Sequence, residues 1–408
     1  MNSTNKLKIL NDPIYGFITI PNELFFDLIE HPYFQRLRRI SQLGLTYLVY
    51  PGAYHTRFHH ALGAMHLMDK AVRILKSKGH AISMEEEEAV KIAILLHDIG
   101  HGPFSHALEN SIVPGIDHEK LSLEFMKLLN KEFEGKLEMA INIFQNKHPK
   151  KFLHQLISSQ LDMDRLDYLR RDSFYTGVTE GQVNSERLIS MLNIVDDQIV
   201  VDHKGIYSVE KFIVARRLMY WQVYLHKTVL SAEFLLIKIL QRAREVFTED
   251  MLMPSALKVF LRGDLPESYE DLLNLYAQLD DHDIFSGIKE WQFHSDKVLS
   301  ILCESLLKRK LLAVVSADDP NNDGKINELK KNVQEKYGIS LKETEYFVFN
   351  KGLTNNAYNP TKDRINLLYK DGSVVDIARA ADQLNISALA KPVTKNFLFF
   401  PKDCGLRS

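Results

Sequence analysis

The chain has 408 residues, 45% hydrophobic and 25% charged, with a formal net charge of −2. That length allows two domains or one elaborated one, and the near-zero charge gives no global field for nucleic acid or an anionic membrane. Cys303 and Cys404 are too few for a disulfide framework or a zinc ribbon, and there is no apolar run of about 18 residues and no N-terminal signal core, so a cytoplasmic protein is expected. Residues 7–20, LKILNDPIYGFITI, predict a β-turn-β unit: Asn11-Asp12-Pro13 turns the chain, and Phe17, Ile18 and Ile20 favour strand. From about 22 to 190 the apolar spacing is helical, through Leu24 and Leu28, then Leu37 and Ile40, then Leu62 and Met65 beside His66 and Asp69. The last of these helices is expected to reach a C-cap at Gly79. Ser83 with Glu86 signals a capping box for the next helix, and Glu85 to Glu88 suit its solvated first turn. Residues 191–209 predict a β-hairpin, then one long helix from about 209 to 247 and less regular helices to about 310. Asp318 to Gly324 is the strongest boundary signal. Beyond it, a helix over 326–337 precedes strand-rich segments, with Asp371-Gly372 as a hairpin turn.

The chemistry concentrates early: nine of the 16 histidines fall between His55 and His118. His97-Asp98 ends the apolar run Ala93-Ile94-Leu95-Leu96, just before Gly100 and Gly102-Pro103. Polar pairs at the end of an apolar helix are costly to bury unless something binds them, and mixed nitrogen and oxygen donors suit a divalent metal. Further donors come from His59-His60 and from the carboxylates Asp162, Asp164, Asp167 and Asp172. Singly, each histidine reads as a hydrogen-bonded structural residue; the ordered set HH…HD…D favours a metal site with positions left open for water or substrate.

His101, His106 and His118 follow, and a histidine titrates near enough to neutrality to protonate a leaving group. Glu109, one helical turn after His106, is placed to orient it. The competing reading makes Ser105-His106 an N-terminal cap and His118 a surface residue after the Pro114-Gly115 turn. Asp164, Tyr168 and Asp172 share a helix face with Arg165 on its flank. Arg216, Tyr220 and Tyr224 share another, followed by His226-Lys227. Two tyrosines on one stripe are usually core, but metal, arginine and lysine together are what phosphate-ester hydrolysis requires.

These motifs resemble the HD-domain phosphohydrolases, specifically the deoxynucleoside-triphosphate triphosphohydrolases related to the SAM- and HD-domain-containing dNTPase, without the SAM domain. The likeness runs through KILNDPIYG (8–16), YFQRLRRISQLG (33–44), VYPGAYHTRFHHALG (49–63), AILLHDIGHGPFSH (93–106) and DMDRLDYLRRD (162–172), and weakly through YLHK (224–227). It implies a mainly α fold: an N-terminal β-turn segment (1–21), a helical HD bundle with a mid-chain β-hairpin (22–311) and a smaller C-terminal α+β lobe (312–408). The metal ligands implied are His60, His97, Asp98 and Asp164, holding one divalent transition ion (Fe, Mn, Co, Ni or Zn), with Mg entering on the nucleotide. His106, assisted by Glu109 and His118, would handle the proton. Arg57 and His101 would lie near the α-phosphate, with Arg165 (lysine in the family) and Arg216 on the outer phosphates. Gln42, Tyr168 and Asp172 would contact the sugar 3′-hydroxyl, and Tyr224 would crowd the 2′ carbon. An activating-nucleotide site is echoed in Lys8, Asn11, Gln35, Arg38, Val49, Lys204, His226 and Lys227. Glu30 and Tyr50 replace the family's usual Asp and Phe there. That site implies a homo-oligomer, dimer or tetramer. For Gln35 and Arg38, ordinary helix-surface polarity remains the competing reading. Alternatives for the whole chain are an HD hydrolase of a monophosphate, cyclic dinucleotide or ppGpp, and a nucleotide sensor without turnover.

Overall fold

The computed structural model describes residues 8–104, 117–317, 322–355, 358–359, 364–381 and 393–405. Among these the protein is mainly α, with three small sheets. Strands β1 (Ile9–Asp12) and β2 (Gly16–Thr19) form an antiparallel hairpin with Asp12 opposite Gly16. Asp12 closes its turn: Oδ1 accepts from the backbone N–H of Ile14 (2.9 Å) and Tyr15 (3.0 Å). Helix α1 (Glu23–Glu30) follows.

Three long helices then organise the interior. Helix α2 (Arg57–Ser77) buries Phe58, Ala61, Leu62, Met65, Met68, Val72 and Leu75, a stripe spaced by threes and fours. Helix α3 (Met84–Leu96) opens with the expected capping box, Glu86 N–H to Ser83 Oγ (3.1 Å) and Ser83 N–H to Glu86 Oε2 (2.8 Å). Every residue of α3 from Ala89 to Leu96 is buried, so the helix has no solvent face there and ends inside the protein. After α4 (His118–Glu132), helix α5 (Met163–Thr176) starts on Asp162, whose Oδ1 accepts from Arg165 N–H (2.7 Å), and stops at Gly177 with φ +74°. Helix α2 packs against both α3 and α5. Its approach to α5 requires glycine at position 63, where a Cβ would fall on the Asp167 carboxylate and the Arg171 guanidinium.

The single long helix expected over 209–247 is two. Helix α6 (Ile206–Met219) widens into a π-turn over Tyr220–Tyr224, closed by Leu225 N–H on Tyr220 O (2.7 Å). His226 leaves helical geometry (φ −62°, ψ 128°), and its Nδ1 accepts from Thr228 N–H (3.2 Å) to cap α7 (Lys227–Glu245). No glycine or proline marks this break. A histidine acting as cap and a wide aromatic turn supply it, and neither disturbs the helical apolar period.

The mid-chain hairpin is β3 (Leu192–Val195) and β4 (Gln198–Asp202), joined by Asp196-Asp197 at φ +50° and +59°, the left-handed pair that suits a tight hairpin. C-terminal strands β7 (Asn366–Leu368) and β8 (Val374–Asp376) complete the same sheet, in the order β3-β4-β7-β8, with β4 and β7 parallel. The third sheet sets β9 (Val393–Phe400) between β5 (Ala313–Ser316) and β6 (Phe349–Asn355). Of the expected boundary at Asp318 to Gly324, residues 318–321 lie outside the described residues, and the helix that follows already begins at Asn322. Among the described residues no helix is long and apolar enough to cross a membrane.

Because the side chains facing Gly63 are locked in a buried ion pair, Gly63→Ala should lower stability by about 3 kcal/mol. Chemical denaturation would read this; a change under about 0.5 kcal/mol would contradict the close packing of α2 on α5.

Candidate metal centre

His60 comes from the first turns of α2, His97 and Asp98 from the turn that ends α3, and Asp164 from the first turn of α5. One ligand atom each from His60, His97 and Asp164 lie within 4.8 Å of one another. Asp164 Oδ1 is 3.1 Å from His60 Nε2 and 3.6 Å from His97 Nε2. Asp98, outside that set of three, has Oδ2 3.7 Å from His60 Nε2 and Oδ1 3.3 Å from His97 Nε2.

The two imidazoles are oriented from behind. His97 Nδ1 sits 2.6 Å from the Ile94 carbonyl, which only accepts, so Nδ1 carries the proton and Nε2 presents a bare lone pair. His60 Nδ1 is 2.8 Å from Asp167 Oδ2. Both Nε2 atoms are buried and have no hydrogen-bond partner. Orphaned buried polar atoms are uncommon. Two of them facing carboxylates make a donor set that fits a divalent first-row ion, with the hydrogen bonding behind the rings that such ligands ordinarily have.

The local field agrees. Burial opposes a charge on His60, yet the Asp164 and Asp167 carboxylates push its pKa up to about 10. Burial likewise opposes charge on His97, but Asp98 and Asp164 raise it. A field that stabilises a proton on these rings also favours a cation between them.

Around this centre, Arg57 is buried and pairs through Nη1 with Asp98 Oδ2, and His101 Nε2 is 3.2 Å from Asp98 Oδ1. Burial, then Arg57, holds the pKa of His101 well below its usual value, so its ring is neutral. His118, at the start of α4, stacks on it with ring centroids 4.0 Å apart. His106 and Glu109 lie outside the described residues. Arg165 pairs with Asp162 through Nη1, and its Nε, like that of Arg216, is buried with no hydrogen-bond partner. Tyr168 is edge-on to Tyr224 at 6.3 Å, and the Tyr224 hydroxyl donates to Asp172 Oδ2 (2.8 Å). Gln42 presents a buried Oε1 without a partner, and its N–H donates to the His55 carbonyl (3.0 Å).

Among the described residues, the hydrogen bond of Arg38 on Gln35 is the one hydrogen bond or ion pair that joins two of the activator residues. Lys8 lies over the Phe26 ring, Arg38 over Phe58 with its Nε on Gln35, and Asn11 is exposed on β1. His226 is edge-on to Tyr50, Lys227 lies near Phe397, and Lys204 is exposed in the turn after β4.

Sequence reasoning missed His55, Arg171 and the role of Asp167. His55 Nε2 is 2.7 Å from Asp172 Oδ1, so Asp172 is held from both sides, by His55 and Tyr224. The density of histidine was the only available signal for His55.

The chain matches the HD domain over residues 57–172 and the HD associated region over residues 183–344. It is 33% identical to the uncharacterized protein YwfO of Bacillus subtilis over 97% of this chain and 92% of the relative. The crystal structure of a phosphohydrolase from Bacteroides thetaiotaomicron superposes with a TM-score of 0.93 at 51% identity, covering 97% of this chain and all of that one. This chain belongs to the HD phosphohydrolase family. A deoxynucleoside triphosphate triphosphohydrolase SAMHD1 homolog of Dictyostelium discoideum is 33% identical over 58% of the chain; the chain spans about half, 49%, of that relative.

One carboxyl beside this region carries a pH signature. Glu233 on α7 puts Oε1 3.8 Å from where a Cβ on Gly44 would sit, next to the Phe104 carbonyl, and burial pushes its pKa up to about 7. Unfolded, it titrates near 4.5. The folded state therefore holds the proton longer, and stability falls as pH rises from about 4.5 to about 7. Glu233→Gln should raise the thermal midpoint at pH 7.5 by roughly 2–4 °C and leave it unchanged at pH 4.5. Scanning calorimetry at both pH values checks this; an equal effect at both would contradict it.

Proposed function

We propose that the protein hydrolyses deoxynucleoside triphosphates to deoxynucleoside and triphosphate, activated by a second nucleotide bound in a cytoplasmic homo-oligomer. The observation that carries this reading is the pair of buried, unpartnered Nε2 atoms of His60 and His97, converging on the Asp98 and Asp164 carboxylates. A divalent ion held by these four residues would supply Lewis-acid polarisation of a phosphoryl oxygen and a more acidic water.

The chain's own residues would do the rest. Arg165 and Arg216, each with an unpartnered buried Nε, are assigned to the outer phosphates, where a monophosphate would leave them idle. Gln42, Tyr168 and Asp172 take the 3′-hydroxyl, and Tyr224, anchored on Asp172, crowds the 2′ carbon and so disfavours ribose. Arg57 offsets charge at the α-phosphate, and the neutral His101 ring lies near it. Water attacks the α-phosphorus, the bond to the 5′ oxygen breaks, and His106, assisted by Glu109 and His118, returns a proton to that oxygen. Lys8, Asn11, Gln35, Arg38, Lys204, His226 and Lys227 are assigned to the activating nucleotide. Apart from Arg38 with Gln35, no hydrogen bond or ion pair joins them among the described residues, which suits a site completed by a second subunit. The relatedness to a deoxynucleoside triphosphate triphosphohydrolase supports the substrate.

Manganese-loaded protein, incubated with each of the four dNTPs in the presence of dGTP and followed by phosphorus NMR, should release inorganic triphosphate. Pyrophosphate, monophosphate or no product with all four would overturn the assignment. His106→Ala should abolish turnover and retain the metal; an unchanged rate would remove His106 from its role.

A further inference from the structure

Behind His60 lies a chain of buried charges with no part in the proposed reaction. Arg171 forks onto Asp167, Nε donating to Oδ2 (2.9 Å) and Nη2 to Oδ1 (3.0 Å). Its remaining arm, Nη1, donates to Asp12 Oδ2 (2.7 Å) in the N-terminal hairpin, 159 residues away in sequence. Asp167 Oδ2 is also the atom facing His60 Nδ1 at 2.8 Å. His60, Asp167 and Arg171 are each 0% exposed and Asp12 is 7% exposed.

Burying one guanidinium between two carboxylates is expensive, and such groups do not by themselves mark a gain in stability. A carboxylate bonded to the far nitrogen of a metal-ligating imidazole, by contrast, has a defined effect: it fixes the tautomer and raises the basicity of the ligating nitrogen. We propose that Asp12, Arg171 and Asp167 form a positioning relay that holds His60 as its Nδ1–H tautomer, so that docking of the N-terminal hairpin sets the affinity of the site for a divalent ion. The inference rests on the reading of His60, His97, Asp98 and Asp164 as a metal site. Asp12 serves both ends: Oδ1 closes the hairpin turn while Oδ2 holds Arg171. Without the charge on Oδ2, Arg171 draws more strongly on Asp167, which becomes a poorer acceptor for His60.

Asp12→Asn isolates that charge, because the amide oxygen can still accept from Ile14 and Tyr15. The full chain, stripped by chelator, is titrated with Mn²⁺ by calorimetry, and the histidine ring nitrogens are read by ¹⁵N NMR. Wild type should bind Mn²⁺ and His97→Ala should lose it; a wild type that binds none overturns the metal reading itself. Asp167→Asn should weaken Mn²⁺ binding roughly 10–100-fold, and Asp12→Asn by up to about tenfold, each moving the ¹⁵Nδ1 resonance of His60 from its wild-type position. If Asp167→Asn does not fold, Asp12→Asn decides alone. A purely structural role would lower the melting temperature of the metal-free protein and leave both the dissociation constant and the His60 ¹⁵Nδ1 resonance at wild-type values. That result overturns the relay while leaving the metal site standing.

Discussion

An apolar helix that ends in the interior is the constraint on which this protein turns. From Ala89 to Leu96, α3 has no face for water, so the residues that follow it, His97 and Asp98, are also held largely out of solvent, each with 10% of its side chain exposed. Desolvating an imidazole and a carboxylate costs several kcal/mol unless partners are brought to them. The surrounding architecture brings those partners. Helix α2 delivers His60 and Arg57, α5 delivers Asp164 and Asp167, and the fit between α2 and α5 is close enough to exclude even a methyl group at Gly63. The candidate metal site and a packing solution are the same object here, and the charges that would suit a cation also lie between three helices.

Selectivity would be built with the same economy. Asp172 is gripped by His55 on one oxygen and Tyr224 on the other, so the tyrosine edge is fixed before any ligand arrives. That grip depends on the π-turn, since the ring belongs to the segment where α6 departs from regular geometry. A rigid aromatic wall discriminates by exclusion, which costs nothing when the right molecule enters.

Much of this was legible in the sequence, and what was not has identifiable causes. The His59-His60 and His97-Asp98 pairs, the Ser83-Glu86 cap and the Asp371-Gly372 turn each depend on neighbours within a few residues, which sequence displays directly. Arg171 and Asp12 looked like ordinary charges, because an ion pair between residues so far apart has no local signature. Asp167 stood in view among four aspartates, but only the distance to His60 Nδ1 separates it from Asp164. The break after Tyr224 was hidden because a π-turn and a histidine cap leave the apolar spacing intact and use neither glycine nor proline.

The parallel pairing of β4 with β7 sets Val200 against Asn366 and Val201 against Leu367. During synthesis the HD core and the β3-β4 hairpin emerge long before the strand that covers β4. For that interval β4 is an open sheet edge, able to pair with another nascent chain. The closing step joins distant segments and is correspondingly slow. Strand β7 thus acts as a late seal on a sheet edge that the earlier elements leave open.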